Sequence, residues 1–187
     1  AFYKQYDIDA KYVGHPFLDE WVPSDKNKIK QDLGLDINKK LVGIFPGSRS
    51  IEIKKHLPTY IKSIKHIKSI DSNCEFVLGL APSFDKKLIK QNYNMKNIKI
   101  VDQNPLQLLE CSDIAIVTSG TISLQASLMG VPCVVGYKLS FLSWILSKIL
   151  IKVKYISMTN IISNEIIIPE LIQYKMTPKN IGREVNI

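Results

Sequence analysis

The 187-residue chain has few cysteines, and no stretch of it is apolar enough to span a membrane. Its cysteines, Cys74, Cys111 and Cys133, form no CxxC pair and have no histidine at metal-ligand spacing, which excludes a disulfide scaffold and a zinc finger. The most apolar stretch, residues 139–156, is interrupted by serines and lysines. Residues 1–11 do not resemble a signal peptide. We therefore expect a reducing, cytoplasmic setting.

Arginine is nearly absent, although the chain is basic. Lysine and arginine together number 25 against 17 acidic residues, a net charge of +8, yet the arginines are only Arg49 and Arg183. Proteins that read nucleic acids favour arginine, because its planar fork makes paired contacts to guanine and phosphate. The scarcity of arginine therefore disfavours a nucleic-acid partner. It leaves open a solvated lysine surface or a role towards an anionic membrane or substrate.

Several nucleotide and hydrolase motifs are missing as well. The chain has no GxGxxG after its first predicted strand, no GxxxxGK[ST] and no GxSxG. Dinucleotide oxidoreductases, P-loop NTPases and serine hydrolases of the α/β type are therefore disfavoured.

Short apolar runs alternate with longer amphipathic segments along most of the chain. The runs, which predict buried strands, are residues 41–45, 75–80, 98–101, 114–117 and 132–135. The segments between or before them, which predict helices, are residues 24–33, about 50 to at least 67, 85–91, 105–111 and 121–129. This order predicts an α/β fold, a Rossmann-like doubly wound parallel sheet. We also expect Pro58 to kink the long helix and His56 and His66 to be solvated.

Two strand ends carry residues suited to an anion. Gly47, Ser48 and Arg49 follow the first strand, where glycine permits close backbone approach, the hydroxyl can bond a phosphate, and the next helix offers free N–H groups. Ser119, Gly120 and Thr121 follow the fourth strand in the same way. Each could also be an ordinary connection, with a surface arginine in the first and a plain helix cap in the second. A diphosphate would use both loops, since they converge on one crevice.

The chain also resembles a known family along most of its length. The segments that carry the resemblance are VGHPFLD at 13–19, FPGSRSIEI at 45–53, SGTISL at 119–124, GVPCVVGYK at 130–138, NII at 160–162 and PELIQ at 169–173. As an ordered set they are similar to the C-terminal half of the lipid-A-disaccharide synthases, which are two-domain GT-B glycosyltransferases. On this basis residues 1–24 are the end of an N-terminal domain or a linker. Residues 25–187 are then a UDP-sugar-binding domain that lacks its C-terminal end.

The resemblance implies an activity and its partners. Such enzymes transfer 2,3-diacylglucosamine from its UDP-sugar to 2,3-diacylglucosamine 1-phosphate, with inversion and without an essential metal. They work on the inner face of the inner membrane of Gram-negative bacteria. The acceptor site and the general base would come from the N-terminal domain, so we expect this chain alone to bind UDP weakly and to transfer nothing. The oligomeric state, including a homo-oligomer, stays open.

The resemblance also implies roles for individual residues. Gly47, Ser48 and Arg49 would meet the diphosphate from one side, and Ser119, Gly120 and Thr121 from the other. The residues expected near the ribose or sugar are Gln125, Asn160, Glu170 and Gln173, and those near the uracil are Val101, Asp102 and Gln103. Where the family usually has Glu, this chain has Gln125, which would weaken the bond to the ribose. His15 is either a hinge residue that packs in its turn or a site residue.

Two alternative functions, and two interpretations of one segment, remain at this point. The chain could be another GT-B enzyme that uses a UDP-sugar, such as a UDP-N-acetylglucosamine 2-epimerase, or a basic module that binds nucleic acid or protein. Residues 141–155, in which aromatic residues alternate with lysines, could contact an anionic membrane. They could equally form a core helix and strand whose lysines reach solvent.

Overall fold

The computed structural model describes residues 3–11, 13–82, 84–140, 144 and 154–185. Its strands are β1 (Lys40–Phe45), β2 (Cys74–Gly79), β3 (Lys99–Val101), β4 (Ile114–Val117), β5 (Cys133–Tyr137) and β6 (Glu170–Ile172). Its α-helices are α1 (Pro16–Glu20), α2 (Lys26–Asp32), α3 (Ser50–Ile70), α4 (Lys86–Asn92), α5 (Pro105–Cys111), α6 (Thr121–Leu128), α7 (Met158–Ser163) and α8 (Pro178–Glu184). Short 3-10 helices cover Tyr3–Tyr6 and Gln173–Lys175.

Within these described residues the strands form one sheet in the order β3-β2-β1-β4-β5-β6, and every neighbouring pair is parallel. The chain starts in the middle with β1, builds outward to β3, and then returns to the other side of β1 with β4. This is the strand order of a doubly wound nucleotide-binding fold. The α/β fold with a parallel sheet, expected from the alternating pattern, is confirmed.

Helices cover both faces of the sheet, because each central strand buries side chains on both sides. In β1, Leu41 belongs to one apolar cluster and Val42 to the other, and both are almost completely buried. One cluster joins the sheet to α3, α4 and α8, and the other joins it to α2, α5 and α6. The continuous apolar runs in the sequence reflect this two-sided burial.

Local side-chain chemistry determines where several helices begin. Asp25 and Asp85 accept hydrogen bonds from the first-turn amides of α2 and α4, and Ser157 and Thr177 do the same for α7 and α8. Gly34, just after α2, has the positive φ of +63° that glycine adopts without strain. Helices α2 and α4 were predicted to within two residues at each end, and α5 was predicted at its observed bounds.

Helix α3 is a single 21-residue helix that includes Pro58, and the expected kink at this proline stays a prediction. The two histidines of the helix have different surroundings. His56, expected in solvent, is fully buried, whereas His66 is exposed. The lysines around His56 suggested a solvated face, but this part of α3 packs beneath the carboxyl ends of the strands.

The last part of the described chain was not predicted in detail. Helix α7 and strand β6 were absent from the sequence-based assignment, and β6 adds to the sheet edge by pairing Val135 with Glu170 and Tyr137 with Ile172. The expected membrane-contacting residues lie mostly outside the described residues, which include only Trp144, Lys154 and Tyr155 of that segment. Among the helices that the structure describes, none has both the length and the hydropathy to cross a bilayer.

Candidate functional site

A cleft of about 510 Å³ lies where the chain changes direction across the sheet, beyond the carboxyl ends of β1 and β4. Open α/β sheets bind their ligands at this type of position. Its lining residues are Phe45, Gly47, Ser48, Arg49, Glu52, Gly79, Leu80, Ala81, Pro105, Leu106, Thr118, Ser119, Gly120, Thr121, Ile122 and Gln125. The fold therefore brings the two predicted anion loops, 70 residues apart in sequence, to opposite sides of one cleft.

The first loop connects β1 to α3 and is held by Glu52. The Ser48 and Arg49 amides donate to Glu52 Oε2 at 3.0 and 3.3 Å, which is the glutamate half of a capping box. These two amides precede the first turn of α3, so the expectation of free N–H groups at the start of the helix stays a prediction. Gly47 has a φ of +115°, and a Cβ there would overlap the same carboxylate. Glu52 was not recognised as the capping residue, although its spacing of three from Arg49 is the signal for it.

Arg49 itself is available to a ligand. Its side chain is 83% exposed, and Nη1 lies 3.6 Å from Glu52 Oε1. An exposed ion pair of this length contributes roughly 0–1 kcal/mol, so little holds the guanidinium away from an incoming phosphate.

The second loop connects β4 to α6 and has no side-chain cap. Gly120 is the N-cap residue, with a φ of +140°, and it has no side chain that could occupy the amides of the first turn. The Ser119 hydroxyl donates to the Ile156 carbonyl at 2.8 Å, so it joins this loop to the segment before α7. Its oxygen can still accept a hydrogen bond. The start of α6 thus combines open N–H groups with the positive end of the helix dipole.

Apolar side chains also line the cleft. Phe45, Leu80, Pro105 and Leu106 form an apolar wall suited to a flat base. The expected uracil residues are beside this wall and do not line it. The Val101 carbonyl accepts the Leu80 amide at 2.9 Å, and Asp102 forms an ion pair with Lys86 at 3.0 Å. Gln103 is exposed.

The expected ribose and sugar residues separate into two groups. Gln125 lines the cleft one turn into α6, and its side-chain amide makes no hydrogen bond to any of the described residues. Asn160, Glu170 and Gln173 are not among the lining residues. The Gln173 side chain accepts the Leu139 amide at 2.8 Å and lies by a separate surface groove with Lys138 and Tyr174.

Asn160 and Glu170 instead hold the chain around α7. The Asn160 Oδ1 accepts the amides of Ile167 and Ile168, and its Nδ2 donates to Glu170 Oε1 at 2.9 Å. The Glu170 carboxylate also accepts the amides of Ile156 and Ser157 and the Ser157 hydroxyl. Since the Ile156 carbonyl accepts from Ser119 at the cleft, Glu170 is connected to the second loop through one peptide.

His15 lies in the segment before the sheet. Its Nδ1 accepts the Phe17 amide at 3.2 Å and caps α1, in which no residue is buried. The ring of Phe17 stacks on Trp21 at 5.8 Å between centroids. Further on, the Ser24 amide donates to the buried Glu110 at 2.6 Å and fastens this segment to α5. The capping role is structural, and a hinge role for His15 stays a prediction.

Two buried polar side chains of α3 lie beneath the cleft. The His56 ring contacts the Pro46 carbonyl through Nδ1 at 3.2 Å and the Lys138 amide through Nε2 at 3.0 Å. The Tyr60 hydroxyl lies 3.0 Å from the Val117 carbonyl and 2.8 Å from that of Gly136. Burial lowers the pKa of His56 and raises the pKa of Tyr60 well above its usual range.

No group of three or more His, Cys, Asp or Glu side chains that could hold a metal ion occurs in the part of the chain that the structure describes. Of the described residues that line the cleft, Glu52 is the single carboxylate, and it is occupied as a cap.

Comparisons with known proteins agree with this geometry. The family model for lipid-A-disaccharide synthetase matches residues 1–186. Lipid-A-disaccharide synthases from Anaeromyxobacter sp. (strain K) and Syntrophotalea carbinolica are 32% and 34% identical over 98% of this chain, which covers 49% and 48% of their own lengths. The chain thus spans about half the length of these curated relatives.

Solved structures support the fold. The ADP-heptose lps heptosyltransferase II of E. coli has a TM-score of 0.60 at 12% identity, over 89% of this chain and 51% of that one. WaaG, described as a glycosyltransferase involved in lipopolysaccharide biosynthesis, has a TM-score of 0.55 at 13% identity, over 91% and 44%. The expected GT-B type of fold is confirmed, and the match along nearly all of its sequence shows that the chain belongs to the lipid-A-disaccharide synthetase family.

Proposed function

We propose that this chain provides the UDP-binding part of a lipid-A-disaccharide synthase. The whole enzyme would transfer 2,3-diacylglucosamine from its UDP-sugar to 2,3-diacylglucosamine 1-phosphate, with inversion and without a bound metal or other cofactor. The observation that carries the proposal is the convergence of two loops, Gly47–Arg49 and Ser119–Thr121, on one cleft between β1 and β4.

The parts of UDP match the parts of the cleft. The diphosphate would lie between the two loops, where Arg49 offers a planar fork of donors and the start of α6 offers amides. The uracil would lie against the wall of Phe45, Leu80 and Leu106, and the ribose near Gln125. A negative ligand also suits a basic chain of net charge +8.

The general base would come from another part of the enzyme. Inverting transfer needs a base within hydrogen-bond reach of the acceptor hydroxyl. The cleft carboxylate of Glu52 is occupied by the amides of Ser48 and Arg49. This chain alone would therefore bind UDP and form no disaccharide.

The acylated substrates imply that the enzyme works at a membrane surface, on the cytoplasmic face of the inner membrane. The excess of lysine and the exposed isoleucines Ile161, Ile162, Ile166 and Ile167 are suited to an anionic lipid surface. Co-sedimentation with vesicles that contain anionic lipid tests this part. We expect binding that weakens when Lys148, Lys152 and Lys154 are neutralised, and binding insensitive to these changes would contradict it.

Titration of the chain with UDP by calorimetry tests the nucleotide site. Loss of a charge-assisted, paired contact costs about 1.5–3 kcal/mol, so Arg49→Ala should weaken UDP binding roughly 10- to 100-fold. The matched control is Arg183→Ala, which removes the other arginine, 72% exposed and paired with Glu184 at 3.2 Å. It should leave UDP binding unchanged.

AMP serves as the ligand control in the same titrations. Equal affinity for AMP, equal effects of the two arginine substitutions, or no saturable binding of UDP to the wild-type chain would each contradict the nucleotide site.

A further inference from the structure

We propose that His56 is a positioning residue that holds the β1–α3 loop in its anion-binding conformation. The proposal rests on the function proposed above, since it concerns the same cleft. His56 is completely buried, does not line the cleft, and contacts the backbone on both sides of its ring. Its two partners belong to the segments that follow β1 and β5.

The hydrogen-bond partners determine the state of the ring. The Lys138 amide can only donate, so Nε2 at 3.0 Å must accept and carries no proton. Nδ1 then carries the proton and donates to the Pro46 carbonyl at 3.2 Å. The imidazole is therefore neutral, as its lowered pKa also indicates, and both nitrogens are used.

The Pro46 contact is where the ring can influence a ligand. The Pro46 carbonyl belongs to the peptide that leads into Gly47, whose φ of +115° begins the loop with Ser48 and Arg49. Glycine has no Cβ to limit its backbone, so the loop depends on outside contacts for its conformation. Glu52 holds the amides of Ser48 and Arg49 on one side, and His56 holds the Pro46 carbonyl on the other.

Helix α3 braces the other strand ends as well. One turn after His56, the Tyr60 hydroxyl bonds the carbonyls at the ends of β4 and β5. The other groups around the imidazole are Glu52 and Lys55 on α3, the rings of Tyr60 and Tyr137, and Lys138, whose Nζ is 3.4 Å from Thr59 Oγ1. One helix therefore connects the ends of three neighbouring strands, and His56 is its connection to the first anion loop.

Two substitutions separate the two sides of the ring. Asparagine places its amide nitrogen near the position of Nδ1, so His56→Asn keeps a donor for Pro46 and loses the acceptor for Lys138. Glutamine reaches the position of Nε2, so His56→Gln keeps an acceptor for Lys138 and loses the donor for Pro46. Each variant loses one of the two hydrogen bonds, so their thermal stabilities should fall by similar amounts.

UDP affinity distinguishes a positioning role from a purely structural one, because a purely structural role would change the affinity equally in the two variants. We expect His56→Gln to weaken UDP binding at least fivefold more than His56→Asn does, at equal loss of stability. Equal affinities in the two variants, or a larger loss in His56→Asn, would overturn the proposal. Tyr60→Phe is the control, because it removes the neighbouring hydrogen bonds of α3 to the strand ends. It should not weaken UDP binding as His56→Gln does.

Amide hydrogen exchange without ligand keeps the test independent of the nucleotide. His56→Gln should speed exchange at Ser48 and Arg49 more than at Lys138, and His56→Asn should do the reverse. If the wild-type chain binds no UDP but this pattern appears, the proposed function fails and the positioning role stands. If UDP binds and the two variants exchange alike, the positioning role fails and the function stands.

Discussion

Replacing Glu170 tests whether its carboxylate contacts the ligand or anchors the chain around α7. Its carboxylate accepts from four donors: the Ile156 and Ser157 amides, the Ser157 hydroxyl and the Asn160 side chain. In Glu170→Gln the oxygen can keep the partners of Oε1, but without their charge. The new NH₂ group then faces the Ile156 amide, a donor against a donor 3.0 Å away, and that amide keeps only its longer contact of 3.2 Å to the remaining oxygen.

The expected cost follows from these contacts. A hydrogen bond to a charged group is worth about 1 kcal/mol more than a neutral one. A half-buried donor that loses its closer partner costs about 1 kcal/mol, the low end of the range for buried donors. Because the bonds form one network and do not add fully, we expect a loss of roughly 2–4 kcal/mol. For a chain of this size that lowers the melting temperature by roughly 4–16 °C.

Differential scanning calorimetry and UDP titration together test this reasoning. The control is Glu165→Gln, which removes the same charge from an exposed residue of the same region and should change stability by less than about 0.5 kcal/mol. UDP affinity should change no more than about twofold in Glu170→Gln, the small effect passing through Ile156 to Ser119. A melting temperature like that of the control, combined with a large loss of affinity, would refute the anchor and favour direct contact with the ligand.

Three further predictions follow from the cleft and the core. Gln125→Glu should tighten UDP binding about fivefold, because a carboxylate bonds a ribose hydroxyl more strongly than an amide does. The control ligand, 2′,3′-dideoxy-UDP, should show no gain in affinity, and a gain with both ligands would exclude a ribose contact. Burial lowers the pKa of His56 below its ordinary 6.5, so the unfolded chain takes up the proton first and stability present above pH 6.5 is lost as the pH falls. Urea unfolding should show the free energy of unfolding falling below pH 6.5, and His56→Asn should reduce this dependence on pH. Burial raises the pKa of Cys111 to about 11 and of Cys133 to about 12, so DTNB should label both only when the chain unfolds, and fast labelling of the native chain would contradict their burial.

Most of the sheet could be predicted from the sequence because its strands are buried on both faces. Runs such as 41–45 and 114–117 are apolar without interruption, and only a doubly covered strand requires that. Strand β6 has three residues, Glu170–Ile172, and joins the sheet by pairing with β5. So short a segment carries no periodic signal, and a tertiary contact decides its conformation.

The positions of the two loops could be predicted, but not whether their N–H groups are already hydrogen-bonded. A glycine within two or three residues of the end of a buried strand is visible in the sequence, as Gly47 and Gly120 show, and parallel strands bring such loops together. Burial of His56 is not visible, because its partner Lys138 is 82 residues away in sequence. Asn160 and Glu170 were expected near the sugar because of the resemblance, and residue type alone does not show that backbone amides occupy them.

The two loops are therefore unequal in the absence of a ligand. In the β1–α3 loop, Glu52 already occupies the amides of Ser48 and Arg49. A phosphate there has only the first-turn amides of α3 and the Arg49 side chain, unless it displaces the carboxylate. In the β4–α6 loop, Gly120 leaves the first amides of α6 without a side-chain cap. Since an anion gains most where donors are already aligned and unoccupied, the diphosphate should bind first at Ser119–Thr121. Arg49 can then move from its exposed pair with Glu52 to the second phosphate, which leaves the Glu52 cap and the His56 contact to hold the loop in place.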